Sequence, residues 1–196
     1  MNKRRIWLSA LLIMLSINTA FATQWQLDSD NSTLNFISIK NTHVSEIHQF
    51  KTLDGTIDDL GTVIITIDLA SIDTKFAVRD ERMTTYLFEV ATYPTAVLKA
   101  TIDPETIDAI AEGASSELAV DATLELHGQT VDLTLDVVVT RLVGAKLSVV
   151  SVKPVLLNVA DFSLIAGVEK LRELANLPSI SHTVPVSFYL NFALKS

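Results

Sequence analysis

No cysteine occurs anywhere in the 196 residues, which excludes disulfides, thiolate metal sites and a lipid-modified cysteine anchor. Six glycines are too few and too scattered to build a phosphate-cradling loop. Basic residues are also scarce, 15 Lys and Arg against 23 Asp and Glu, for a formal net charge of −8. Nucleic-acid binding depends on cationic side chains neutralising phosphates, so this balance argues against it. It argues equally against electrostatic attachment to an anionic membrane surface. No G-x-S-x-G elbow and no H-E-x-x-H helix appears in the sequence. Low-complexity linkers and fixed-period repeats are missing as well.

What is present begins with a targeting segment. Lys3, Arg4 and Arg5 precede an apolar run from Ile6 to Ile17, and Ala20-Phe21-Ala22 supplies small residues where a signal peptidase reads. The run is about 12 residues, short of the roughly 20 needed to cross a bilayer as a helix. The sequence therefore predicts a signal peptide over residues 1–22, cleavage after Ala22, and no stable membrane anchor on the product. Residues 23–196 fit one domain. Loss of three basic residues with the leader takes the net charge from −8 to −11, which favours solubility.

From Gln24 onward the dominant period is two. Val63, Ile65, Ile67 and Leu69 alternate with polar residues, as do Leu118, Val120, Ala122, Leu124 and Leu126. His127-Gly128-Gln129 marks a turn, after which Val131, Leu133, Leu135, Val137 and Val139 resume the pattern. Val184, Val186, Phe188, Leu190, Phe192 and Leu194 form the last such series. One dry face and one wet face per strand means antiparallel sheet. Weaker strands are expected over 24–28, 33–40, 49–58, 96–102 and 146–158, about nine in all. Closure into a barrel removes the exposed edges that a flat meander would leave. A loop or short helix is expected over 107–116, and a second helical pattern runs from Ala166 to Leu177.

One stretch breaks the β pattern: Asp73 to Pro94. Asp73 or Thr74 can cap a helix, and Phe76, Met83, Leu87 and Val90 recur at spacings of three and four. Tyr93-Pro94 closes it, because a residue before proline is pushed out of helical geometry. A single amphipathic segment in a β chain reads as a plug, lid or barrel-end cap, or as a helix packed on a sheet edge.

Within that stretch Arg79-Asp80, Met83, Leu87-Phe88-Glu89 and Tyr93-Pro94 resemble the signature of the YceI-like family. Trp25 and Asp28 with Ser32 and Phe36, then His48, Phe50 and Gly55, are similar to the family's opening motifs. Leu124, His127, Gly128 and the pair Asp161-Phe162 match later ones, so the resemblance spans about Trp25 to Leu194. Two positions depart from it: Arg82 stands where many members carry histidine, and Asn158-Val159-Ala160 where many carry an arginine. The resemblance implies an all-β, antiparallel, lipocalin-like β-barrel of about eight strands with one or two short helices. It implies export to a bacterial periplasm and a polyisoprenoid lipid as ligand.

The residues themselves offer little catalysis. His182 lies beside Ser181, and neighbours on a strand point to opposite faces. Glu46 and His48 share a face but give at most two metal ligands, so no metal is expected. Arg79-Asp80 reads as a local ion pair. With the resemblance, the dry face and the helical stripe imply a cavity lined by Phe36, Phe50, Phe76, Met83, Leu87, Leu124, Leu126, Val186, Phe188, Leu190 and Phe192, with Arg79 and Arg82 at its mouth. Whether that face lines an open cavity or fills a packed core is left open by periodicity. An interaction module with a filled core, or an enzyme using His127 or His182, remain the alternatives. The favoured reading is a carrier without cofactor that holds an isoprenoid quinone or polyprenyl lipid. Lys75, Arg79 and Arg82 are the nearest basic cluster, too meagre in an acidic chain for a pyrophosphate head.

Overall fold

A computed structural model describes residues 24–195, so the leader predicted over 1–22 lies outside the described residues. The alternating segments become the walls of a barrel. Strand β1 (Gln24–Leu27) and β2 (Thr33–Lys40) are two halves of one wall, kinked at a short helical turn over Ser29–Asn31. Asp28 caps that turn by accepting from the Asn31 backbone N–H. The next wall is likewise broken, into β3 (Val44–Phe50) and β4 (Leu53–Ile57). Then come β5 (Thr62–Asp68), the two-residue β6 (Ile72–Asp73), helix α1 (Ala77–Arg82), β7 (Thr95–Thr101) and helix α2 (Pro104–Asp108). The long hairpin of β8 (Ser115–Leu126) and β9 (Gln129–Leu142) follows, with β10 (Lys146–Ser151), β11 (Val155–Asn158), α3 (Ile165–Leu174) and β12 (Thr183–Lys195) completing the chain.

Every pairing among these strands is antiparallel. Strand β12 pairs with β10 and β11 along one edge and with β1 and β2 along the other, which closes an eight-walled ring. The all-β barrel expected from the sequence is therefore the fold. The β8–β9 turn is the tight hairpin that the sequence marks at His127-Gly128. Both residues have positive φ (52° and 74°), the geometry that matches the twist of the flanking strands.

The two ends are closed differently. At one, Asp103 caps α2 by accepting from the Glu105 N–H, and Ile107 and Ile110 are buried. At the other, α1 continues into a wider helical turn over Met83–Leu87, in which the Phe88 N–H reaches the Met83 carbonyl, five residues back. Helix α3 packs against that turn. Gly167 makes the approach possible: a Cβ there would stand 2.6 Å from the Tyr86 carbonyl oxygen and 2.8 Å from Leu87 Cα.

Three expectations about the 73–94 stretch need correction. The helix covers only Ala77–Leu87. Neither Asp73 nor Thr74 caps it; instead Asp80 reaches back to accept from the Thr74 backbone N–H at 2.8 Å. Phe76 occupies the extended position before the helix and is 61 % exposed, so it does not line the interior.

Candidate functional site

The inward faces of the walls enclose a cavity of about 220 Å³ open to the centres of water-sized atoms, and every lining residue is apolar. It runs from Ile102 and Ile107 at the α2 end to Phe50, Phe88 and Leu164 at the α1–α3 end. For scale, an engineered void of about 150 Å³ lined by Leu, Ile and Phe stays dry and binds benzene. Of the cavity residues expected from sequence, Phe36, Phe50, Leu87, Leu124, Leu126, Val186, Phe188, Leu190 and Phe192 line it. Met83 is buried in the core without reaching the cavity wall. Beyond it the widened turn resets the helical phase, so that Leu87 and Phe88 are both buried.

The expected basic mouth does not converge. Lys75 Nζ pairs with Asp73 at 2.7 Å, and Arg82 donates to the Leu174 carbonyl at the end of α3. Arg79 reaches Glu46 at 2.7 Å rather than its neighbour Asp80, and also donates to the Thr74 carbonyl. Glu46 is shared with Lys40 at 2.8 Å. Burial alone would raise the pKa of Glu46, but the hydrogen bond from Lys40 and the charge of Arg79 outweigh it, holding the carboxyl below its ordinary value. Asp73 lies well below the usual carboxylate range because Lys75 donates to it from both side chain and backbone, with Lys51 and Gln49 adding to the effect.

Sequence reading weighed His48 only as a metal ligand and as part of a family motif. His48 sits on β3 opposite Phe36 of β2 and is 2 % exposed. Its Nε2 lies 2.8 Å from Ser38 Oγ, while Nδ1 is buried without a partner. Its ring centroid is 5.1 Å from that of Phe36, which stacks on Phe50 at 5.4 Å, which in turn meets Phe88 at 5.7 Å. A chain of rings thus joins His48 to the cavity wall. The available signal was the shared face of Glu46 and His48 on one strand.

Burial pushes the His48 pKa below the ordinary 6.5, and Arg79 pushes the same way against Glu46 and Asp80. Between the folded and unfolded pKa values the unfolded chain therefore holds the extra proton, and acid favours unfolding. We expect the thermal midpoint to fall as pH drops through about 6.5. The fall should be shallower in His48→Phe. Equal slopes in the two proteins, measured by calorimetry, would contradict a neutral buried imidazole.

His127 and His182, the candidate acid/base residues, lie apart from the cavity. His127 Nε2 is 2.8 Å from Glu89 and its ring packs against Tyr93 at 4.4 Å. His182 lies 3.6 Å from Glu169, beside Arg172. Among the described residues no three His, Asp or Glu side chains converge as a metal site, and no helix is long and apolar enough to cross a membrane.

A closed eight-walled antiparallel barrel around a wholly apolar cavity defines a lipocalin-like protein. Within that class, the chain belongs to the YceI-like domain family, whose model matches residues 25–192. It is similar to the solved polyisoprenoid-binding domain from Saccharophagus degradans implicated in plant cell wall breakdown, with 42 % identity and a TM-score of 0.85. That match covers 87 % of this chain and 98 % of the other. Two more distant solved structures share the fold. BcnA of Burkholderia cenocepacia is 17 % identical at a TM-score of 0.62, covering 84 % and 98 % of the two chains. The Campylobacter jejuni YCEI protein is 18 % identical at a TM-score of 0.55, covering 81 % and 90 %. No curated protein sequence matches the chain.

Proposed function

We propose that this is an exported binding protein that sequesters or carries a long-chain isoprenoid lipid in its barrel. The observation that carries the reading is the lining: a cavity whose wall is apolar along its whole length favours a hydrocarbon guest and offers no polar group to a hydrophilic one. The 42 % identical domain from Saccharophagus degradans, described as polyisoprenoid-binding, supports the same ligand class. Each methylene moved out of water contributes about 0.8 kcal/mol before ordering costs, so tail length dominates affinity. The leader over residues 1–22 supports export to the periplasm, with a mature protein starting at Thr23.

An uncharged head such as an isoprenoid quinone suits the protein better than a phosphorylated one. Lys75, Arg79 and Arg82 point to three separate partners, so they do not form the converging cationic set that a pyrophosphate needs. We expect binding of a long-chain quinone, followed by fluorescence quenching, to change less than about twofold over a tenfold range of salt, because tail burial is not screened. Arg82→Ala should leave it intact. Polyprenyl phosphate binding that is tighter than quinone binding, and that collapses with salt or with Arg82→Ala, would reverse the choice of head.

A further inference from the structure

The outside of the barrel is divided in a way that the cavity does not require. Side chains alternate along a strand, so residues between the cavity-lining ones point outward. On β8 and β9 these outward residues include Glu117, Asp121, Glu125, Asp132 and Asp136. The far side of the ring is different. The outward residues of β2 from Thr33 to Ile39, of β3 from Ser45 to Gln49 and of β12 from Thr183 to Asn191 include no charge. Lys40 and Glu46 turn inward there, into the polar cluster with Arg79. The uncharged wall is also apolar. Ile47 pairs with Ile37. Pro185 follows Ile37 across the sheet, because Val186 pairs with Phe36, and Leu156 pairs with Pro185. That row crosses four strands, and its ends, Ile47 and Leu156, are 68 % and 66 % exposed. Val150 and the exposed Tyr189, paired with each other, add a second strip.

In a chain of net charge −8, a wall without charge that leaves Ile, Leu and Tyr in water has the composition of an interface core. We propose that it is a self-association surface, on which a second copy of this chain docks about a twofold axis. A twofold contact needs a surface that matches itself, and an uncharged apolar one does. Charge placement favours the same partner. With these walls together, the β8–β9 acids of both copies lie on the outer sides, where their repulsion is least. A bilayer fits less well, because helices and segments that lie on membranes border their apolar residues with Lys and Arg, and this wall has neither. Between the two strips, Asn35, Gln49 and Ser187 supply uncharged donors and acceptors for pairing across the contact. Strand β3 adds an edge. Its far side pairs with β6 only at Gln49 and Phe50, so Ser45 and Ile47 border the wall with an open strand edge that a second copy covers. The contact uses outer side chains alone, so it forms whether or not the barrel holds lipid.

Sedimentation velocity on the mature protein at about 50 μM tests this, above the micromolar end of affinities for interfaces of standard size. A dimer is expected for the wild type, with and without added quinone. Ile47→Glu and Leu156→Glu each place a carboxylate in the contact twice over, and each should weaken dimerisation at least about 100-fold. Both side chains are exposed on the single barrel, so the circular dichroism of these variants should match wild type. Leu60→Glu and Val143→Glu replace apolar residues that are more exposed still but lie at the α2 end, and should leave the dimer intact. A monomeric wild type overturns the proposal, as does a dimer that Ile47→Glu and Leu156→Glu leave at full strength. Monomeric protein that instead floats with phosphatidylcholine vesicles, and no longer does so as Ile47→Glu, assigns the wall to a bilayer and likewise overturns it.

Discussion

Phe188→Asp abolishes lipid uptake on this account, while the barrel persists. Phe188 lies on β12, opposite Leu34 of β2, and both side chains line the cavity. An ionised carboxylate in that wall has no polar partner in reach, since every lining residue is apolar. It either keeps water in the cavity or stays protonated at a cost of several kcal/mol. Either way the tail loses contact with one of the largest side chains of the wall. We expect affinity for a long-chain isoprenoid to fall at least about 100-fold, with Phe188→Leu close to wild type. Circular dichroism retaining the β signature in the Asp variant makes the loss specific to binding. Unchanged uptake in that folded variant would show that the ligand lies elsewhere.

The second large effect falls on the end closure. Replacing a glycine within a helix normally stabilises it by up to about 1 kcal/mol, through the unfolded chain and helix propensity. At Gly167 the sign should reverse. The added Cβ of Gly167→Val meets the backbone of Tyr86 and Leu87 at 2.6 and 2.8 Å, and backbone cannot turn aside as a side-chain tip can. Helix α3 must back away from the wide turn, loosening Leu87 and Phe88 over the cavity. A loss of about 3 kcal/mol follows from overpacking of this kind, a drop of roughly 6–12 °C in thermal midpoint. The variant should also exchange bound lipid faster. A midpoint equal to or above wild type would show that α3 does not press on the turn.

Much of the barrel was legible because most walls obey one rule, apolar inward and polar outward. Strands β5, β8, β9 and β12 follow it over most of their length, and their inward residues are those that the alternation predicts. Strand β3 breaks the rule. Its inward positions include Glu46 and His48, while Ile47 faces out and is 68 % exposed. The alternation there is inverted by the polar cluster, and the expected strand over 49–58 missed most of β3. The kink between β3 and β4 and the break between β10 and β11 were hidden for another reason. Alternation reports which way a side chain faces, not where the backbone bends.

The helical stretch shows the same limit. A 3.6-residue period placed Phe76, Met83 and Leu87 on one face, which holds only for an unbroken α-helix. Phe76 is extended and exposed, Met83 is buried off the cavity wall, and the widened turn after Arg82 brings Phe88 to the wall beside Leu87. The partners of Arg79 were equally hidden, because Glu46 is brought to it by a strand 33 residues away in sequence. Local charge pairing favoured Asp80, and long-range pairing won.

Native mass spectrometry of the gently purified mature protein tests the central claim most directly. The account predicts a polypeptide beginning at Thr23 that carries one uncharged long-chain isoprenoid, released as a neutral on activation and lost in Phe188→Asp. A bare polypeptide that also fails to take up quinone, squalene or polyprenyl phosphate when offered would contradict it.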